Sequence, residues 1–370
     1  MRPVIRLAFG LLLASVAASS AAQSPGTGMP IEKHDKPAAG KGIEGVTGTL
    51  IVLNKSEASA SLIDLASGVE MKRVPTGVGP HEVAVSPDGK TAVVANYGEG
   101  QPGQTLSVID LTTGTLTKMI DLEKYRRPHG IVFLPDGERV VVTAEAEQML
   151  LVVHVGKGEV ERAIGTEARV SHMAALSPDA TRAFVANIGS HSMTVIDLEK
   201  GERLGQVSTG PEAEGIDVSP DGSQVWVSNR RGNTVSVVDA KSLDVIATLD
   251  SPTFPIRLKF TPDGARVLVS NANSGDVAVF DARERREIRR IHMNEKPVDD
   301  TSDRLFTDQF GNSPVPVGIL VLPGGTHAFV ANTNADIVTV LDLRSMSISG
   351  RLKAGKQPDG LGYTPVTLKQ

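Results

Sequence analysis

Three histidines carry most of the chemistry this sequence could do. His81, His129 and His172 are spaced 48 and 43 residues apart, and each stands six residues ahead of a turn proline, Pro87, Pro135 or Pro178. That spacing matches no local metal motif, so only the fold can bring the rings together. Before the later turn prolines Pro220, Pro262, Pro323 and Pro365 the same place holds Glu214, Ile256, Val317 and Asp359. The next position reads Glu82, Gly130, Met173, Gly215, Arg257, Gly318 and Gly360. If repeated units align these positions, imidazoles and carboxylates gather at one point. Three His with a carboxylate suit a divalent transition metal such as Zn, Cu, Ni or Fe. The same groups suit an anionic ligand or general acid–base work. In the enzymatic version His81, His129 and His172 are the metal ligands, and Glu214 or Glu82 is the base. In the opposing version the recurring Pro-His is a repeat-consensus feature that hydrogen-bonds backbone between units.

The units that must position these residues are legible in the turn prolines. Pro87, Pro135, Pro178, Pro220, Pro262, Pro323 and Pro365 follow one another at 48, 43, 42, 42, 61 and 42 residues. Nine residues after the proline comes Asn96, Asn187, Asn229, Asn271 or Asn332, and ten after four of these comes Asp197, Asp239, Asp281 or Asp342. The intervening runs alternate and are β-branched, which reads as strand. Pro-Asp-Gly supplies the tight turn, because Pro presets φ and Gly tolerates φ > 0. A period of about 40–45 residues predicts an all-β, seven-bladed β-propeller with four antiparallel strands per blade. Thr49–Asn54 matches a second strand with no first strand before it, while Pro358–Pro365 is a first strand with no successor. The C-terminal strand is therefore expected to join the N-terminal blade and close the ring. The Asn and Asp columns are expected to satisfy turn backbone. In the third unit His154 takes the Asp place and reads as structural. Ala180 in place of the turn glycine suggests a different turn in the fourth.

Strand–loop alternation also assigns faces. The loops entering the first strand and joining strands two and three emerge together, and the inner strand lines the central channel. Tyr97, His191, Arg230 and Arg231 thus share a face with the histidines. Together with Arg257 and Asp359 they are candidate ligand-binding residues, and the arginines suit a carboxylate or phosphate. The opposing reading makes Arg230 and Arg231 solvated loop charges. The long segment His292–Pro314, with Asp299, Asp300, Asp303, Asp308, Phe306 and Phe310, interrupts the spacing on that face. It reads as a variable loop, or as a lid or partner-binding element.

Val93-Val94-Ala95-Asn96, Phe184-Val185-Ala186-Asn187, Trp226-Val227-Ser228-Asn229 and Phe329-Val330-Ala331-Asn332 resemble the repeat of the YVTN family. The chain looks like a bacterial YVTN/YncE-like seven-bladed propeller over residues 46–370. The wider superfamily contains lactonase-like proteins, d1-haem proteins and ligand binders. The resemblance therefore implies either a binding propeller or a lactonase-like hydrolase or lyase. It also admits a haem-like cofactor held without covalent attachment by a hub histidine. Fold alone does not choose between them.

Residues 1–22 read as a signal peptide, with Arg2 and Arg6 ahead of the apolar run Leu7–Ala18 and small residues Ser20-Ala21-Ala22. Residues 23–45 read as a flexible leader rich in Gly, Pro and Lys. A periplasmic location is expected. No segment is long and apolar enough to span a bilayer. With no cysteine in the sequence there is no disulfide, thiolate metal site or c-type haem attachment. A formal net charge of −5 argues against general nucleic-acid affinity. Gly-rich phosphate loops, a Gly-x-Ser-x-Gly elbow and His-Glu-x-x-His are absent from the sequence. The expected partner is a small-molecule or protein ligand, bound by a monomer.

Overall fold

A computed structural model describes residues 41–298, 304 and 309–368. Its strands form seven four-stranded antiparallel sheets, and the sheet order is sequential in six of them. In the seventh, Pro358–Thr364 pairs with Thr49–Asn54, followed by Ser59–Asp64 and Val69–Pro75. Thr49 lies opposite Thr364 and Leu50 opposite Tyr363, so the tail supplies the inner strand of blade 1. The expected ring closure is therefore present. The inner strands of blades 2 to 7 are Pro80–Val85, Pro128–Phe133, Ser171–Leu176, Ala213–Val218, Pro255–Phe260 and Pro316–Val321.

The blades hold together through apolar clusters at their interfaces. Val93, Leu106 and Val108 of blade 2 pack with Ile131, Val142 and Leu151 of blade 3. Trp226 and Val237 of blade 5 pack with Leu258 and Phe280 of blade 6. Such burial, about 25 cal/mol per Å² of apolar surface, is what a chain without disulfides relies on. The Asn column meets its expectation only in part, since most of its bonds go to side-chain hydroxyls and not to turn backbone. Asn229 Nδ2 donates to Thr234 and Ser236, and Asn96 Oδ1 accepts from Gly77 N at 3.1 Å. The Asp column caps turns: Asp239 Oδ1 accepts from Lys241 N and Ser242 N at 2.9 and 2.8 Å. His154 sits at its turn, its Nδ1 facing Lys157 N at 3.4 Å.

Two local expectations need correction. Blade 4 keeps the common turn: Ala180 adopts φ 53° and donates to Ser177 O at 2.8 Å, as Gly89 does to Ser86 O. The Asp179 side chain, bonded to Ser177 Oγ and Thr181 N, holds the turn without glycine. The leader boundary also shifts. Ile43 donates to Leu65 O at 2.9 Å and packs on blade 1, so the propeller begins before residue 46. Residues 1–40, which contain the signal-peptide reading and His34, lie outside the described residues.

Candidate functional site

Every inner strand carries a register break at the place the sequence singles out. It falls between Pro80 and Glu82, Pro128 and Ile131, Ser171 and Ala174, Ala213 and Ile216, Pro255 and Leu258, Pro316 and Ile319, and Pro358 and Leu361. A bulge there re-aims one side chain and leaves backbone groups without ladder partners. In blade 5, Ser228 Oγ accepts from the bulged Gly215 N at 2.9 Å and donates to Ile256 O of blade 6 at 2.8 Å. Thr143 and Ser270 do the same in blades 3 and 6. The glycine after the ring position permits this closeness. A Cβ on Gly318 would lie 2.0 Å from Asp359 O, and one on Gly215 would lie 2.3 Å from Ile256 O.

Three columns build the channel mouth. The first is the inner ring of His81, His129, His172, Glu214, Ile256, Val317 and Asp359. The second is the residue ahead of each inner strand: Gly79, Arg127, Val170, Glu212, Phe254, Val315 and Gln357, all with φ between 54° and 65°. Left-handed backbone is unfavourable for Val170 and Val315, and strain of this kind concentrates where side chains are aimed for a purpose. The third is the residue after each Asn place: Lys55, Tyr97, Glu145, Ile188, Arg230, Ala272 and Thr333. Blades 6 and 7 contribute apolar groups, and Phe254, Ile256, Ala272, Val315 and Val317 pack with Phe310 of the long insertion. The other blades contribute most of the polar and ring groups.

The rings do come together. His81 and His129 have centroids 5.2 Å apart, His129 and His172 are stacked at 3.6 Å, and Tyr97 lies 4.5 Å from His81. Arg127 stands 4.8 Å over the Tyr97 ring. Tyr97 Oη donates to Glu145 Oε2 at 2.6 Å, while His172 Nδ1 donates to Glu145 Oε1 at 2.7 Å. His172 Nε2 lies 3.5 Å from Glu214 Oε1. Burial alone would discharge His172, but its bonds to Glu145 and Glu214 outweigh burial and raise its pKa. His81, whose Nδ1 faces Gly79 O at 2.8 Å, is pushed down to about 3 by burial and then by Lys55. His129 is driven well below its ordinary value by burial and then by the adjacent His172 charge. The cluster thus sets one ring that holds its proton more tightly than a free imidazole beside two that release theirs more readily.

The charged residues form a continuous web. Arg257 of blade 6 bonds Glu214 of blade 5 at 3.0 Å and reaches across the lumen to Glu82 of blade 2 at 2.9 Å. Blades 6 and 2 are not neighbours, so this side chain bolts the channel transversely. Arg230 pairs with Glu212 at 2.6 Å and Glu214 at 2.7 Å, and Lys55 pairs with Asp359 at 2.7 Å. Burial favours the neutral form of Glu214, but His172, Arg230 and Arg257 together hold it ionised, well below the usual range. Burial raises the Glu82 carboxyl, with Arg257 opposing. Asp359 is lowered on balance, Lys55 and then His81 overcoming its burial.

This geometry sorts the sequence candidates. His81, His129, His172, Glu214, Glu82, Arg257, Tyr97, Arg230 and Asp359 belong to one connected mouth. Arg231 is 70 % exposed and touches only its rim through Glu212 at 3.2 Å. His191 accepts from Glu212 N at 2.9 Å and so fixes the lead-in residue of blade 5. The arginines do not stand open for an anion, because each is matched to carboxylates. The side chains also do not fit the metal expectation: among the described residues no group of three or more His, Asp or Glu is placed to hold an ion. Both nitrogens of His172 face carboxylates, so that ring is not free to ligate a haem iron. Lys55, Glu145 and Arg127 escaped the sequence reading. The position after the Asn column would have found the first two, since Tyr97 and Arg230 occupy it in other blades.

Insertion residues Val298, Arg304 and Phe310 are tied to the same face. Val298 N donates to Asn334 O at 2.9 Å, and Arg304 grips Asp336 at 2.7 and 2.8 Å. Asp299, Asp300, Asp303, Phe306 and Asp308 lie outside the described residues. A groove of about 550 Å³ between blades 3 and 4 lies on the opposite face, lined by the turn residues Pro135, Asp136 and Asp179, with no ring residue in its wall.

These features define a seven-bladed propeller with a polar, ring-lined hub on one face. Residues 54–296 match the family described as "Lactonase, 7-bladed beta-propeller", and the chain belongs to that family. The hydrazine synthase subunit beta of Kuenenia stuttgartiensis is 30% identical over 157 residues, 37% of this chain. That match spans 41% of the relative's length. A solved structure of Kuenenia stuttgartiensis hydrazine synthase superposes with a TM-score of 0.64 at 18% identity, covering 76% of this chain and 88% of that one. A functionally unknown protein from Desulfotomaculum acetoxidans superposes with a TM-score of 0.70 at 14% identity, covering 86% and 99%. At these identities the two structures speak for fold alone. Among the described residues no helix is long and apolar enough to cross a membrane.

Proposed function

We propose that this is a periplasmic YVTN-type propeller that binds a small molecule, or a partner protein's side chain, at the His-lined mouth. The observation that carries this reading is the convergence of Tyr97, His81 and His129 beside two buried polar atoms without partners, His129 Nδ1 and Asp359 Oδ1. Unpaired buried groups are uncommon and point to an occupant, a solvent molecule included. The curated relative is named as a subunit, which makes a protein partner on this face a natural counterpart. A thermal-shift panel of lactones, carboxylates, phosphates and polyols tests the reading on wild type and on His129→Phe. A bound compound at a hundredfold its Kd stabilises by about 2.7 kcal/mol, a readable shift. Shifts that vanish in His129→Phe support the mouth. Shifts retained in the variant, or none from any class, overturn it.

The second reading is a lactonase-like hydrolase or lyase at the same place, favoured by the family match. Here the structure redistributes the roles. Glu214 is engaged by Arg230, Arg257 and His172, which makes it a weak base. Glu82, whose carboxyl burial raises, is the better-placed base, and the His129 ring, held neutral by burial, is left to hydrogen-bond a substrate. Hydrolysis of a simple lactone that is lost in both Glu82→Gln and His129→Phe would favour this reading over binding alone.

A further inference from the structure

The two unpartnered atoms at the mouth say what kind of molecule fits there. His129 and Asp359 are each 1 % exposed and hold equivalent inner positions in blades 3 and 1, with His81 of blade 2 between them in ring order. Asp359 gives its Oδ2 to Lys55 Nζ at 2.7 Å, which leaves Oδ1. A carboxylate oxygen only accepts, so the occupant must donate to it. A carboxylate or phosphate ligand would bring acceptors to an acceptor.

The charges in this part of the hub are already matched. Lys55 faces Asp359, Arg257 faces Glu82 and Glu214, Arg230 faces Glu212 and Glu214, His172 faces Glu145 and Glu214, and Arg127 acts on Glu145, five cationic groups against five carboxylates. An added anion or cation would leave one of these groups with a buried excess, which a low-dielectric interior resists. A neutral hydroxyl meets both remaining needs. It donates to Asp359, and it donates to or accepts from the neutral His129 ring, whichever tautomer is present.

We infer that the hub mouth takes a small neutral polyhydroxylated molecule, a polyol or free sugar, with one hydroxyl donating to Asp359 Oδ1 and another bonded to His129 Nδ1. The inference rests on the mouth being a ligand site, as proposed above, and adds the ligand's class. Since both residues are buried, the hydroxyls are held inside the hub and do not rest on the rim.

Isothermal titration of the full chain with glycerol, erythritol, glucitol and glucose, set against gluconate and glycerol phosphate, tests this. The expected result is a neutral probe binding with a Kd below about 10 mM and gluconate at least about tenfold weaker than glucitol. His129→Phe keeps the ring stack but removes the nitrogen, and should weaken the neutral probe at least about tenfold. Asp359→Asn should do the same; where that variant fails to fold, His129→Phe carries the test. Neutral probes that stay silent to about 100 mM, or bind the variant as well as wild type, overturn the inference. So does a crystal structure at saturating probe that shows only ordered water on the two atoms. Anionic probes whose binding is lost in His129→Phe would overturn the neutral class while leaving the mouth a ligand site. Silence from every probe here, together with silence in the wider panel, would remove both.

Discussion

Replacing Arg257 with Met removes a side chain that joins blade 6 to blade 2 across the lumen. Its guanidinium is 8 % exposed, and its partners Glu82 and Glu214 are 15 % and 6 % exposed. Breaking one side of a buried ion pair typically costs about 3–5 kcal/mol, because the partner charge is left buried without compensation. Glu214 keeps Arg230 and a hydrogen bond from His172, so the cost falls mainly on Glu82, which is left with the like-signed Asp359 and only a weaker attraction from His172. A propeller of roughly 320 residues should lose about 1.5 °C per kcal/mol, or about 5–7 °C in Tm. Adding Glu82→Gln should restore part of that loss, since a neutral amide needs no counter-charge. The double-mutant cycle should then show a coupling of about 2 kcal/mol. Urea unfolding of the four proteins at a common m-value measures it. A loss below about 1 kcal/mol in Arg257→Met, or strict additivity in the cycle, would refute the transverse bolt.

Four further outcomes follow from the same coordinates. The hub histidines make stability peak near their unfolded pKa, about 6.5. His81 and His129 bind protons more readily unfolded, so stability drains as pH falls from there toward about 3 for His81; His172 binds more readily folded, so its share is lost as pH rises through its raised folded pKa. Each such group contributes a slope of about 1.36 kcal/mol per pH unit in its window, and thermal melts across pH 4–9 should trace a dome. Glu145→Gln should lower the His172 pKa and loosen the Tyr97 hydroxyl, visible by NMR as a His172 titration midpoint moved to lower pH; an unchanged midpoint would count against the pair. Phe310→Ala, emptying a place beside Phe254, Ile256 and Val317, should cost about 3 kcal/mol by urea unfolding. Truncation before Pro358 removes the inner strand of blade 1 and exposes Thr49–Asn54 as an edge, so gel filtration should show aggregated or unfolded chain.

The architecture was legible because it is repeated. The turn prolines, the Asn column and the Asp column each recur often enough to reveal a period, and the orphan strand at Pro358–Pro365 announces its own partner. The inner ring followed from the same arithmetic, which is why His81, His129 and His172 were found though far apart in sequence. What the repeat could not carry was pairing. Arg257 meets Glu82 across 175 positions because both point into one lumen, a relation that no periodicity expresses. Glu145 and Lys55 follow the Asn column, yet a single Glu or Lys after a strand looks like any solvated loop charge. Whether three nearby imidazoles ligate or stack depends on ring orientation, which the bulges set, and sequence is silent on that. Ala180 is a smaller case, where the Asp179 side chain preserves a turn despite the missing glycine.

Nitrogen-detected NMR of ¹⁵N-histidine-labelled protein titrated with pH, assigned with His→Gln variants, tests the central claim most directly. The hub as described requires His172 to titrate above the ordinary imidazole range and His81 and His129 below it, because Glu145 and Glu214 outweigh burial at His172 while burial dominates at the other two. A His172 midpoint above about 6.5, with His81 and His129 unprotonated down to pH 5, is the predicted result. Three rings titrating together near 6.5 would mean that the side chains are not packed as described, and the ligand site built on them would go with that packing.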